Sequence, residues 1–261
     1  MNIFKGWSRK EIEAFGQKDI QDFIIDGKFP YTTRVFFVQH LIPYLFFKTF
    51  YQDKFILEIG IGDGFGSFYL SGFSHRVVSL DMDFSCKDHL GRYIERFNVS
   101  NINFVNADAS RLPFADESFD GVIACQLIEH IPEDRLSFFL QEINRVMKKK
   151  ARALLVTLNV ERNIKNPLKY EKFQQHHKEF TKTEFKDLLK SAFFSVDIFG
   201  LNEGFMCRFF LRLKRWGLMK YNQSGYNPVI RFYENILPKN YDVSKKITKR
   251  SIDLIGLCQK A

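Results

Sequence analysis

The sequence predicts an α/β fold: a mainly parallel sheet with helices on both faces. Two observations carry this. Short β-branched and apolar runs alternate with helical stretches from about residue 54 to 200, and that alternation belongs to parallel sheets covered on both sides. The first such run ends in a glycine-rich turn, at the edge where folds of this class receive ligands. A chain of 261 residues with 45% apolar content is long enough for one well-packed core.

Taken in order, the first fifty residues read as helical. Ser8 and Glu11 fit the S-x-x-E capping box that opens a helix, and residues 33–51 read as a second helix. Its apolar part, Val35 to Phe50, is interrupted by Gln39, His40, Pro43 and Lys48. It falls short of the roughly 20 residues of a spanning helix, so a buried helix is expected. Lys54–Ile59 reads as the first strand, followed by Arg76–Leu80, Ile102–Val105, Phe119–Cys125 and Ala153–Leu158. Glu133–Met147 places Leu136, Phe139, Leu140, Ile143 and Val146 on one helical face. Phe193–Gly200 reads as a sixth strand and Ser251–Cys258 as the last. An insertion of some fifty residues between those two strands reads as functional or as a lid.

Composition narrows the setting. The start, MNIFKGWSRKEIEAFG, has no apolar h-region of the secretory kind. Cys86, Cys125, Cys207 and Cys258 form no CxxC or CxxH pair, so neither a zinc site nor a disulfide framework is expected. Reduced thiols and a cytoplasmic setting follow, and no metal site is indicated. The net charge of +9 is concentrated: from Asn202 to Arg250 eleven Lys/Arg face three acids, Glu203, Glu234 and Asp242. The basic character belongs to one segment.

The central motif is FILEIGIGDGFG, Phe55 to Gly66. A strand delivers Glu58, and Gly60, Gly62, Gly64 and Gly66 alternate through the turn. The dinucleotide pattern G-x-G-x-x-G fits poorly, because its third glycine falls on Phe65 or Ser67. Asp81 ends the second strand 19 residues after Gly62, where a carboxylate can accept from both hydroxyls of a ribose. Residues 106–133, NADASRLPFADESFDGVIACQLIEHIPE, supply a third block.

Together these resemble class I S-adenosylmethionine-dependent methyltransferases, with their E/D-x-G-x-G-x-G turn. The EH pair and the LPF/SFD block resemble the small-molecule branch of ubiquinone/menaquinone-biosynthesis C-methyltransferases. The resemblance covers about residues 50–200 and the final strand. It implies a Rossmann-like, seven-stranded, mostly parallel sheet with an antiparallel last strand. It also implies S-adenosyl-L-methionine as cofactor, held by Glu58, Gly60, Gly62, Gly64, Asp81, Met82, Asp108, Ala109 and Gln126. Asp108 and Ala109 would meet the adenine, and Gln126 and Leu127 the sulfonium region. One departure is Lys149–Arg152, standing where the family usually has Lys-Pro-Gly-Gly. The expected organisation is a helical cap (1–52), a cofactor-binding domain (53–201 with 251–261) and a basic insertion or lid (202–250).

A sulfonium methyl is already activated, so alignment and exclusion of water supply much of the catalysis. A base is needed only for a protonated acceptor. The candidates are Glu129 and His130, and the pair His176 and His177 before Glu179, with His130 and His177 put first. The basic segment has several readings: a solvated helix, a lid over the acceptor, a contact with an anionic membrane surface, or an RNA contact. The tetrad of amino-methylating nucleic-acid enzymes is replaced by Ala124–Leu127 (ACQL). The expected function is methyl transfer to a small-molecule or lipid-linked acceptor, at peripheral contact with membrane if the segment binds lipid. An RNA methyltransferase and a non-catalytic cofactor-binding module are the alternatives.

Overall fold

A computed structural model describes residues 20, 22–24, 33–164, 170–217 and 227–261. The capping box at Ser8 lies outside the described residues. The described helices are α1 (Arg34–Phe47), α2 (Phe65–Ser71), α3 (Cys86–Phe97), α4 (Leu136–Val146), α5 (Val160–Asn163), α6 (Lys182–Lys190), α7 (Phe205–Arg215) and α8 (Pro228–Glu234). The strands are β1 (Phe55–Ile59), β2 (Arg76–Asp81), β3 (Ile102–Asn106), β4 (Phe119–Cys125), β5 (Met147–Leu158), β6 (Ser195–Glu203), β7 (Tyr241–Ser244) and β8 (Asp253–Gln259).

These strands form one eight-stranded sheet in the order β3-β2-β1-β4-β5-β8-β6-β7. Strands β3 to β5 pair in parallel, while β8 runs antiparallel to both β5 and β6. The expected reversed last strand is therefore present. The expected seven strands become eight, because Tyr241–Ser244 inside the basic segment adds an antiparallel edge to β6. Only four residues long, it carries too little pattern to announce a strand.

The sheet is buried on both faces because its strands are apolar throughout. Ile56, Val77, Ile123 and Ile255 belong to a core shared with α1, α2 and α3. Their chain neighbours Leu57, Val78, Val122 and Leu254 belong to a second core, under α4 and α6. This alternation is the two-residue period of a strand.

Two boundaries differ from the sequence reading. A 3-10 turn, Glu133–Arg135, precedes α4. The Lys149–Arg152 stretch, expected as a turn, lies inside β5. Lys150 has φ 62° there, and the pairing with β4 shifts register between Phe119 and Gly121. A bulge lets a basic run continue a strand.

Helix α1 is apolar nearly all round, with ten buried residues and Pro43 in its interior. The Thr33 hydroxyl caps it by accepting from Phe36 N–H. Such a helix is either in a core or in a membrane. Here it packs in the core, and among the described residues no helix is long and apolar enough to cross a membrane.

Candidate active site

The parallel strands bring their carboxyl ends to one edge, in register: Ile59 beside Leu80 and Ala124, Asp81 beside Asn106. The glycine turn sits on this edge. Gly62 has φ +50°, and an added Cβ would meet nothing within 4 Å, so the turn is open on that side. Gly60 has φ +74°, and an added Cβ would press on the Leu127 side chain at 2.9 Å. Both positions need the left-handed backbone that glycine adopts without strain. Asp81 accepts Gly62 N–H at 3.1 Å and Asp83 N–H at 2.9 Å, which fixes its carboxylate against the turn.

Met82 is exposed, while Ala109 is buried beneath the edge. Asp108 leaves β3 with one oxygen accepting from Ser110 N–H and Oγ, both at 2.8 Å. Those bonds hold its carboxyl below the usual range. Its other oxygen lies 3.3 Å from Arg135. Gln126 follows β4 with φ 53°, its N–H held by Val156 O.

Glu58 has a different position from the one its motif suggests. It is buried, and both oxygens are taken from within the protein. Tyr44 of α1 donates to Oε1 at 2.5 Å, and Ser67 of α2 donates to Oε2. Ser79 of β2 donates to Ser67 Oγ at 2.6 Å. Burial pushes the Glu58 carboxyl up to about 7, against the downward pull of the two hydroxyls. Its carboxylate thus locks the turn to the helical layer.

Beside this edge lies a cavity of about 1200 Å³. Gln126, Leu158 and Asp253, from the ends of β4, β5 and β8, form its sheet side. Helix α1 supplies Arg34, Phe36, Gln39 and His40, and the basic segment supplies Cys207, Leu211, Lys214, Tyr233 and Tyr241. The two walls are tied together: Arg34 Nε donates to Ile236 O at 2.8 Å, and Gln39 donates to Tyr241 Oη at 3.2 Å. Phe210 of α7 stacks on Phe232 of α8 with ring centroids 4.1 Å apart. Asp253 is buried and pushed up to about 7 by desolvation.

Of the candidate bases only His176 lines this cavity, and His130 lies behind it. His130 closes a 3-10 turn after β4, and its ring lies edge-on to that of His176, centroids 4.8 Å apart. His176, not His177, is the one that lines the cavity; His177 is exposed, and its N–H donates to Glu129 O at 2.7 Å. The backbone places two adjacent residues on opposite sides, so sequence alone does not choose between them. Glu129 is buried, accepts from Thr157 Oγ1 at 3.0 Å, and is pushed up to about 8 by desolvation. Burial lowers His130 from 6.5, so its imidazole is neutral at pH 7.

Comparison with known proteins decides what kind of edge this is. The methyltransferase-domain family matches residues 57–155, which run from the strand bearing Glu58 through most of β5. Residues 57–155 thus resemble a methyltransferase domain, and a probable S-adenosylmethionine-dependent methyltransferase of Mycolicibacterium smegmatis is 29% identical over 143 residues, 54% of this chain and 52% of that protein. A fatty-acid O-methyltransferase of Mycolicibacterium smegmatis is 32% identical over 97 residues, which is 37% of this chain and 34% of that protein. Phthiotriol/phenolphthiotriol dimycocerosates methyltransferase 1 of Mycobacterium ulcerans is 33% identical over 97 residues, 37% of this chain and 35% of that one. The chain thus spans about a third of the length of these two relatives. A solved SAM-dependent methyltransferase from Thermotoga maritima, described as a possible histamine N-methyltransferase, shares the fold. Its TM-score is 0.60 at 16% identity, covering 87% of this chain and 94% of that one.

S-adenosyl-L-methionine is the cofactor of such a methyltransferase domain, and the residues present fit it. The open Gly62 turn leaves room for a ligand against the backbone. Asp63, Asp81 and Asp83 make the rim anionic, and Asp63 pairs with His89 at 3.4 Å. An anionic rim favours a cationic sulfonium and ammonium over a pyrophosphate. When bound, the cofactor supplies an electrophilic methyl group; the chain's own groups bind, orient and keep water away.

The residues that sequence reasoning missed are Tyr44, Ser67 and Asp253. Tyr44 and Asp253 each stand alone in an apolar run. A lone buried polar residue is a signal, but it does not say what it meets.

Proposed function

We propose that this methyltransferase domain transfers the methyl of S-adenosylmethionine to a small-molecule or lipid-linked acceptor held in the cavity between α1 and residues 202–250. The observation that carries this is the cavity's place, opening at Gln126 beside the cofactor edge. Its volume of about 1200 Å³ lies above the ~300–1,000 Å³ of ordinary ligand pockets. That suits an acceptor with a long apolar portion. Two relatives are named for a fatty acid and for dimycocerosates, which supports the same class. The narrower reading, an acceptor of the quinone-biosynthesis kind, rests on the EH and LPF/SFD blocks.

In this reading Glu58, Gly60, Gly62, Gly64, Asp81, Met82, Asp108, Ala109 and Gln126 surround the cofactor, with Glu58 acting through the turn. The acceptor's nucleophilic atom meets the methyl at the His176 end of the cavity. Residues 202–250 are the acceptor-side lid. Helix α7 also carries exposed Phe205, Met206 and Phe209 among Arg208, Arg212 and Arg215. That pattern suits the surface of an anionic membrane, from which a lipid-linked acceptor would enter.

The test offers methyl-labelled cofactor with lipid, metabolite and RNA pools. Label in the lipid or metabolite pool is the expected result. Label in RNA overturns the acceptor class, and cofactor binding without turnover would make the chain a binding module. Asp81→Ala, which removes the acceptor for Gly62 N–H, should weaken cofactor binding more than tenfold with the fold intact. Wild-type affinity in that variant removes the ribose assignment.

A further inference from the structure

Behind the cavity wall at His176 lies a cluster of donor atoms that methyl transfer does not require. One carboxylate oxygen of Glu129 and one ring nitrogen from each of His130 and His176 lie within 4.8 Å of one another. They come from the turn after β4 and from the segment before α6, so the fold and not a short motif brings them together.

The hydrogen bonds behind these groups prepare them as ligands. His130 Nδ1 lies 3.0 Å from Gln175 O, and His176 Nδ1 lies 2.7 Å from Glu179 Oε1. Both partners only accept, so in the neutral rings each Nδ1 carries the proton and each Nε2 carries the lone pair. A carbonyl or carboxylate behind Nδ1 is how metal-ligating histidines are oriented. The Glu179 side chain is itself 2% exposed. Glu129 has one oxygen fixed by Thr157, and no Lys or Arg pairs with it among the described residues. Buried carboxylates are paired or coordinate metals.

We propose that Glu129, His130 and His176 bind one divalent transition-metal ion at the cavity wall. Two imidazoles and a carboxylate suit the borderline ions Zn²⁺, Fe²⁺, Co²⁺ and Mn²⁺ better than Mg²⁺ or Ca²⁺. Ligand atoms about 3–4 Å apart surround a cation at roughly 2.1 Å, so the cluster needs to close by about an ångström. Three protein ligands leave positions open for a further oxygen, and His176 faces the cavity. The site rests on this geometry and holds whether or not the domain transfers methyl groups.

The experiment is titration of the chelator-stripped full chain with Co²⁺, followed by visible absorption and calorimetry, with cofactor binding measured on the same samples. One equivalent of Co²⁺ should bind with the absorption of imidazole-bound cobalt. Glu129→Gln and His176→Ala should each weaken it at least tenfold, while His177→Ala, at the exposed neighbour, leaves it unchanged. Circular dichroism confirms that the variants are folded, and His130→Gln replaces either one that is not. Absence of stoichiometric binding, or equal loss in His177→Ala and His176→Ala, overturns the site. Loss of cofactor binding with cobalt binding intact counts against the methyl-transfer reading alone.

Discussion

Replacing Tyr44 by Phe tests the link between α1 and the glycine turn. The phenol donates to Glu58 Oε1 at 2.5 Å, and both groups are buried. Burial raises the Glu58 carboxyl from 4.5 to about 7, and Tyr44 is one of two hydroxyls pulling it back down. An acid whose folded value lies above its unfolded one binds more protons when folded. Its stability is present below about 4.5 and is lost as pH rises through about 7. Removing Tyr44's hydroxyl raises the folded value further and deepens that loss. Near pH 8 the carboxylate is ionised, and losing a donor to it costs about 1.5–3 kcal/mol. Near pH 5.5 the group is protonated, and the loss is that of a neutral hydrogen bond, about 0.5–1.5 kcal/mol. At roughly 2–4 °C per kcal/mol for a chain of this size, Tm should fall by about 3–12 °C near pH 8 and about 1–6 °C near pH 5.5. Thermal unfolding of both proteins at the two pH values is the assay. An equal penalty at both, or none, would refute a buried, ionisable Glu58 held by α1.

Gly62→Ala should stay folded, with a backbone cost of about 1 kcal/mol from its φ of +50°, and lose cofactor affinity severely because the new methyl enters the open side of the turn. Calorimetry and a thermal melt read both effects, and unchanged affinity would move the cofactor off that turn. In chelator, Glu129→Gln should be more stable than the native chain above pH 8 by more than about 1 kcal/mol, with little gain near pH 5, because burial raises Glu129 to about 8. Urea midpoints at the two pH values check the sign. Phe205→Ser with Phe209→Ser should abolish sedimentation with phosphatidylglycerol-containing vesicles and leave cofactor affinity unchanged. Vesicle binding equal to the native chain would assign α7 to solvent.

The sequence by itself determined the class of fold and the order of the cofactor edge. Apolar strands with helices between them admit little besides a parallel sheet, and Gly60, Gly62, Asp81 and Asp108 follow those strands at fixed spacing. These are local facts, since a strand end and the turn after it lie within a few residues of each other. Tertiary structure decided the rest. Glu58 reads as a ligand group from its motif, but Tyr44 and Ser67, 14 and 9 residues away, take both its oxygens. The eighth strand exists because β6 extends to Glu203 and offers an edge to Tyr241–Ser244. His176 and His177 are equivalent in sequence, and only the path of the chain past Glu129 turns one toward the cavity and the other outward. The cavity joins α1, the ends of β4, β5 and β8, and α7, α8 and β7 of the basic segment, elements far apart in the chain. Contacts made across such distances depend on packing, and packing leaves no period in the sequence.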